Sequence, residues 1–236
     1  MADILAMGKN ARLASRKLAG LGTTKKNDVL CAVADAVKDN SEYILAENLK
    51  DVEQGRADGM KSGLLDRLTL TKARIDGMAD GIRQVAALDD PIGEVLSMKK
   101  RPNGLLIGRK RVPFGVIAVI YESRPNVTLD TFGLCFKAGN AVILKGGSDA
   151  INSNIAIASV IRKALRECGI DENAIQLIDS TDRECVKELL TMNEYVDVVI
   201  PRGGKGLIQF VVKNSTVPVI ETVSYTHLTL PTILLV

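Results

Sequence analysis

Residues 116–128 read Val116-Ile117-Ala118-Val119-Ile120-Tyr121-Glu122-Ser123-Arg124-Pro125-Asn126-Val127-Thr128. An apolar run rich in Val and Ile, with no polar residue alternating through it, predicts a strand buried on both faces. Pro125 forces Arg124 out of helical geometry, and the spacing predicts a helix beginning near Asn126 to Thr128. Working outward, the same unit repeats. Short apolar runs lie at 141–144, 175–178, 196–200 and 217–220, and helical patterns lie between them at 128–137, 151–168, 183–192 and 205–213. Strands alternating with helical crossovers predict a parallel sheet of five strands in a doubly wound, Rossmann-like layer. Its ligand belongs outside the carboxyl ends of the strands.

Upstream of that layer the pattern is helical. Ile4, Met7, Ala11, Ala14, Leu18 and Leu21 recur at three- and four-residue steps, and Val29, Leu30, Val33 and Val37 repeat the device. Ser41 is placed to cap a third helix carrying Ile44, Leu45, Asn48, Leu49 and Val52. After a glycine-broken loop over 55–63, Thr71 is placed to start a fourth, with Ile75, Met78, Ala79, Ile82, Val85 and Ala86 on one face. Such stripes are core packing. From Glu94 the period shortens: two extended arms flank Pro102-Asn103-Gly104, and Asn-Gly favours the positive φ angles of a tight hairpin turn. The arms carry Lys99, Lys100, Arg101, Arg109, Lys110 and Arg111, as a solvated edge protected by charge or as an anion-binding surface. The fold class is therefore α/β: a helical N-terminal region and a hairpin, then the doubly wound sheet.

Composition narrows the function. The 31 Lys and Arg residues against 28 Asp and Glu leave a net charge of only +3, too small for a nucleic-acid footprint. Aromatics are 3% with no Trp, which argues against base-stacking platforms. None of Cys31, Cys135, Cys168 and Cys185 stands two residues from another, so no redox pair or zinc knuckle is written, and no metal site is expected. Unpaired thiols suit a reducing cytoplasm. Asp3, Lys9, Arg12, Arg16 and Lys17 interrupt any signal-like core, and no run reaches the roughly 20 apolar residues of a membrane helix. A cytoplasmic small-molecule protein with no nucleic-acid or membrane partner is expected.

The expected strand ends carry the polar residues. The helix after Pro125 offers free amides to an anion, or is simply a capped helix. Lys145-Gly146-Gly147-Ser148-Asp149 places a cation and a close-approach backbone on the same rim, with Ser148 or Asp149 able to cap the next helix. The Lys precedes the glycines, so this is not a Walker A loop. Pro201-Arg202-Gly203-Gly204-Lys205-Gly206 opens another helix without the full G-x-G-x-x-G spacing. Glu221, at the end of the fifth run, is a general base facing the crevice or an ordinary edge carboxylate.

These residues carry a resemblance. The block from Pro113 through Thr128, the block Lys137-Ala138-Gly139-Asn140-Ala141-Val142-Ile143-Leu144-Lys145-Gly146-Gly147-Ser148, and Val196-Asp197-Val198-Val199-Ile200-Pro201-Arg202-Gly203-Gly204 are similar to the glutamate-5-semialdehyde dehydrogenases of the aldehyde dehydrogenase superfamily. The match runs from about the first residue to Thr222. The resemblance implies NADPH-dependent reduction of L-glutamyl 5-phosphate to glutamate 5-semialdehyde, with release of phosphate, in proline biosynthesis. It implies that Lys145, Gly146, Gly147 and Ser148 lie against the adenosine ribose and its 2′-phosphate, and that Gly203 and Gly204 are the second cofactor turn. It puts Glu221 where many relatives keep a general base, and Asn126 near the oxyanion or substrate contact. A homo-oligomer formed through the 94–112 hairpin is a further expectation. Another acyl-thioester-forming aldehyde dehydrogenase, or a nucleotide-binding module without chemistry, are the alternatives.

The resemblance stops at Thr222. Residues 223–236, Val223-Ser224-Tyr225-Thr226-His227-Leu228-Thr229-Leu230-Pro231-Thr232 and the apolar stretch after it, read as a foreign, adaptor-like tail. The family's thioester-forming cysteine falls beyond that point, so residues 1–222 are expected to be the cofactor-binding portion and the chain as written to be inactive. Cys135, among Phe132, Leu134 and Phe136, is expected to be buried, and Cys31 and Cys168 to lie in helix packing. Cys185, between Arg183 and Lys187, is the most reactive candidate.

Overall fold

The computed structural model describes residues 3–222 other than 181 and 183. The adaptor-like tail with His227, and the helix start expected at Arg183, lie outside the described residues. Helix α1 (Ile4–Leu18) begins where the Asp3 carboxylate accepts the Ala6 amide at 2.8 Å, and it buries Ile4, Ala11, Ala14 and Leu18. Helices α2 (Thr23–Asp39) and α3 (Ser41–Ala57) follow. Ser41 is the first residue of α3, not its cap; Asn40 holds that position without a side-chain capping bond. Leu49, expected in the apolar stripe of α3, is instead 52% exposed.

The expected 55–63 loop shrinks to a short turn. Gly55 stays inside α3, buried, because a side chain there would press on Met60, Leu65 and Leu68. A further short helix α4 (Ser62–Leu68) follows. Helix α5 (Lys72–Ala87) starts as expected, with Thr71 Oγ1 accepting the Arg74 amide at 3.2 Å.

Strands β1 (Val95–Lys100) and β2 (Leu106–Lys110) form an antiparallel hairpin standing apart from the main sheet. At its tip Gly104 takes φ +86° while Asn103 does not turn positive. The Asn103 side chain instead accepts the Leu105 amide at 3.2 Å, and Arg101 pairs with both Gly104 and Leu105, so the loop is one residue longer than a two-residue Asn-Gly turn.

The second half alternates as read: β3 (Val116–Tyr121), α6 (Asn126–Lys137), β4 (Ala141–Lys145), α7 (Ile151–Glu167), β5 (Ile175–Leu177), α8 (Glu184–Leu190), β6 (Val198–Arg202) and α9 (Lys205–Asn214). All pairings are parallel, in the order β5-β4-β3-β6. The expected fifth strand reduces to a single bridge between Val219 and Val199, so the sheet has four strands among the described residues. Helices α6 and α7 cover one face, backed by α2, α3 and α5, and α1, α8 and α9 cover the other. Every residue of β3 and β4 is buried, which is why their sequence runs apolar without alternation. No helix among the described residues is long and apolar enough to cross a membrane.

One buried ion pair ties the helical half to this layer. Lys26 and Asp90 meet at 2.7 Å with side chains only 2% and 8% exposed, and Lys26 Nζ also donates to the Lys137 carbonyl. Burial, the largest single influence on Asp90, pushes its carboxyl up. The bonds from Lys26, the Ile92 amide and Thr23 outweigh it, and the net shift is downward. A carboxyl lowered in the folded state stabilises above its unfolded pKa and loses that contribution as pH falls through the folded value. Asp90→Asn should therefore lower stability at pH 7 by about 3 kcal/mol, leaving Lys26 buried and unpaired. The gap to the parent should narrow at a pH below the ordinary aspartate range, where the parent's own lowered Asp90 takes up a proton. Urea unfolding at both pH values measures this; a gap independent of pH would exclude the ion pair as its source.

Candidate functional site

Parallel register brings three strand ends to one rim. Ile120 of β3 lies beside Lys145 of β4, and Tyr121 of β3 beside Arg202 of β6. Lys145, expected as an open cation on that rim, is only 7% exposed because it still belongs to a fully buried strand. Its Nζ donates to the Gly146 carbonyl at 2.7 Å. Burial holds the amine below the ordinary lysine range, opposed by the nearby Cys185.

Beneath the turn lies a polar network. The Tyr121 hydroxyl meets Thr128 Oγ1 at 2.7 Å, and Thr128 Oγ1 donates to Asn154 Oδ1 at 2.9 Å, linking β3, α6 and α7. Burial pushes the Tyr121 phenol well up, so it stays a neutral hydroxyl. Asn154 Nδ2 has no partner among the described residues. Gly146 is required here by packing, since a Cβ would run into Asn154 Nδ2 and stand 3.1 Å from the Tyr121 hydroxyl.

Ser148 and Asp149 were expected to cap the following helix, and they do not. They form a short 3-10 turn, and Asp149 Oδ2 accepts from Ser123 Oγ at 2.7 Å. Ser123 has the only positive φ outside glycine among the described residues. The cap of α7 comes from a distant helix. Asp51 of α3, 3% exposed, accepts the Asn152 and Ser153 amides, the Asn152 Nδ2 and the Ser153 Oγ. Sequence reading missed Asp51. Its signal was spacing: Ile44, Asn48, Asp51 and Gly55 share one helical face, and a carboxylate on a buried face needs donors.

At the end of β6 the Gly204 amide donates to Glu122 Oε2 at 3.0 Å. A Cβ on Gly203 would lie 2.6 Å from the Glu122 carboxyl carbon, so that glycine admits the carboxylate. The start of α9 thus already receives an anion from within the chain. Glu221 is exposed just past the Val219 bridge, and Thr222 Oγ1 donates to the Pro201 carbonyl at 2.6 Å.

Asn126 opens α6 half-buried, its Nδ2 donating to Asp130 Oδ2 at 2.8 Å. An amide nitrogen carries two hydrogens, so one remains to donate elsewhere. Burial raises the Asp130 carboxyl, against the Asn126 bond and the Arg202 charge. Asn126, Arg124 and Asp130 line a cavity of about 580 Å³ together with Arg67 and Arg74, neither of which the sequence had singled out. Asp130 also lines a second cavity of about 520 Å³, flanked by Leu134, Cys135 and Arg202.

The four thiols are unpaired. Cys135 is buried as expected, and burial pushes its thiol up to about 12. Cys185, expected to be the reactive one, is 5% exposed, because α8 turns it onto the sheet. Cys31, expected in helix packing, is exposed and Cys168 half-buried.

The aldehyde dehydrogenase family profile matches residues 1–224. A protein named gamma-glutamyl phosphate reductase from Lachnospira eligens is 61% identical over 222 residues, which are 94% of this chain and 54% of that protein. The crystal structure of gamma-glutamyl phosphate reductase from Thermotoga maritima superposes with a TM-score of 0.92 at 47% identity, covering 94% of this chain and 53% of the other. That from Saccharomyces cerevisiae gives 0.86 at 32% identity, covering 93% and 56%. The chain spans about half the length of the curated relatives it matches.

Proposed function

The chain belongs to the aldehyde dehydrogenase family, and on that footing we propose that residues 1–222 are the cofactor-binding portion of a gamma-glutamyl phosphate reductase. The 61% identity to a protein of that name over 222 residues carries this reading. The reaction is reduction of L-glutamyl 5-phosphate to glutamate 5-semialdehyde in proline biosynthesis, in the reducing cytoplasm that four free thiols suit. A thiolate contributed by the rest of the enzyme displaces phosphate from the acyl group. NADPH, when bound, supplies the hydride that reduces the resulting thioester.

The rim fits such a cofactor. Gly204 has open space on its Cβ side except for Glu122 Oε2 at 3.9 Å, Ser148 is exposed, and the Lys145 amine is bonded only to a main-chain carbonyl. Lys145, Gly146, Gly147 and Ser148 would hold the adenosine ribose and 2′-phosphate, and Gly203 and Gly204 the neighbouring segment, with Glu122 giving way. Asn126, oriented by Asp130, would donate to the oxygen of the reacting carbonyl. Glu221 is the candidate base. Val95, Met98, Leu106 and Ile107 of the hairpin are each about half exposed or more. A two-stranded hairpin is marginal alone, which favours its pairing with a second copy.

Lys145 gives the cofactor assignment a direct test. A charge-assisted bond to phosphate is worth ~1.5–3 kcal/mol, so Lys145→Met, which keeps the buried stem, should weaken NADPH binding about tenfold or more. NADH, lacking the 2′-phosphate, should lose less. Fluorescence titration reads both, and equal losses would remove the 2′-phosphate assignment.

A further inference from the structure

The 580 Å³ cavity between α4, α5 and the start of α6 has a wall of mixed charge. Arg67 and Arg124 line it, both residues are exposed, and among the described residues neither has an ion-pair partner. Arg74 lines the same cavity but is engaged, bonded to the Asp66 carboxylate and to the Asp66 and Thr69 carbonyls. It braces the α4–α5 turn against the end of α4, which carries Arg67. Asp130 stands on the same wall, bonded to Asn126.

Resting on the reductase reading, we propose that this cavity takes the amino-acid end of the substrate, a zwitterion: Arg67 and Arg124 receive its carboxylate, and Asp130 its ammonium. The alternative anion on the same substrate is the phosphate. A phosphate subsite gains from cations and backbone donors and loses from a carboxylate in its wall. Two guanidiniums without acid partners beside a carboxylate match a zwitterion instead. Burial already raises the Asp130 carboxyl, and an arriving ammonium would offset that burial. Asn126 lines this cavity and is the donor proposed above for the reacting carbonyl, so on that reading the cavity lies where the rest of the same substrate must go. Arg67 and Arg124 are thus substrate-binding residues that set specificity for an amino acid over a plain aldehyde.

The test uses residues 1–222 joined to the C-terminal half of the Lachnospira eligens reductase, run in reverse with phosphate and NADP⁺. Arg67→Gln and Arg124→Gln should each raise KM for glutamate 5-semialdehyde about tenfold or more. KM for phosphate and turnover of butanal, which has neither charge, should hold within about twofold. A rise in phosphate KM with semialdehyde KM unchanged would overturn the assignment in favour of a phosphate subsite. No change in either would take the cavity out of substrate binding. Should the unsubstituted chimera not turn over at all, the reductase reading fails, and NMR of the 236-residue chain decides the cavity separately. L-norvaline should move the Arg67 and Arg124 Nε–Hε signals while inorganic phosphate at equal concentration moves them less; a flat titration, or a larger response to phosphate, would overturn the proposal.

Discussion

The 236-residue polypeptide by itself is expected to show no glutamyl-phosphate-dependent oxidation of NADPH. Thioester chemistry requires a nucleophile within reach of the acyl phosphate, and its removal costs on the order of four decades or more in rate. The described cysteines do not replace it. Cys135 is buried with its thiol pushed up to about 12, so almost none is thiolate at neutral pH. Cys185 is buried on α8 against the sheet, and Cys31 is exposed on α2, an element with no residue on the strand-end rim. Residues 1–222, binding the cofactor as proposed, could orient a hydride donor but would form no acyl-enzyme thioester for it to reduce. Stopped-flow absorbance at saturating NADPH is the measurement. Turnover that disappears in Cys185→Ser would show that this chain carries its own nucleophile.

The largest effect on stability is expected at Asp51. Its carboxylate, 3% exposed, satisfies two amides of α7 together with the side chains of half-buried Asn152 and buried Ser153. Asp51→Ala leaves those donors stranded, at a cost of about 3 kcal/mol or more. Because α7 runs directly out of the Lys145-Gly146-Gly147-Ser148 turn, the loss should reach function as well. The Ser148 region should exchange amide hydrogens faster than in the parent, and NADPH affinity should fall even though Asp51 lines no strand end. Urea unfolding with hydrogen exchange tests both. A change below about 1 kcal/mol would mean that water or a shifted backbone caps α7 just as well.

The sheet was legible in the sequence because burial on both faces leaves no alternation: β3 reads directly from Val116 to Tyr121, and β4 nearly so. The strand at 217–220 was overcounted, since an apolar run need not be a buried one: only Val217 is buried, Ile220 is 46% exposed, and only Val219 bridges. Helix starts governed by local chemistry, such as Thr71, were legible. The cap of α7 was not, because its donor-to-acceptor bonds span about a hundred residues between α3 and α7, and no local rule connects them. The same limit hid Arg67. Residues 62–68 sat at the edge of a segment with several glycines, and only the tertiary fold sets that short helix beside Arg124 and Asn126. Lys145 was assigned correctly to the strand end, but its burial follows from the tertiary packing around the end of β4, which spacing alone does not reveal.

As proposed above, these strand ends would serve a reductase that exchanges phosphate, not coenzyme A, at the acyl group. The chimera of residues 1–222 with the Lachnospira eligens C-terminal half decides it, assayed as oxidation of glutamate 5-semialdehyde with NADP⁺. The account predicts formation of NADPH that requires inorganic phosphate and gains nothing from coenzyme A. Turnover that requires coenzyme A and ignores phosphate, from a chimera shown to be folded, would contradict it.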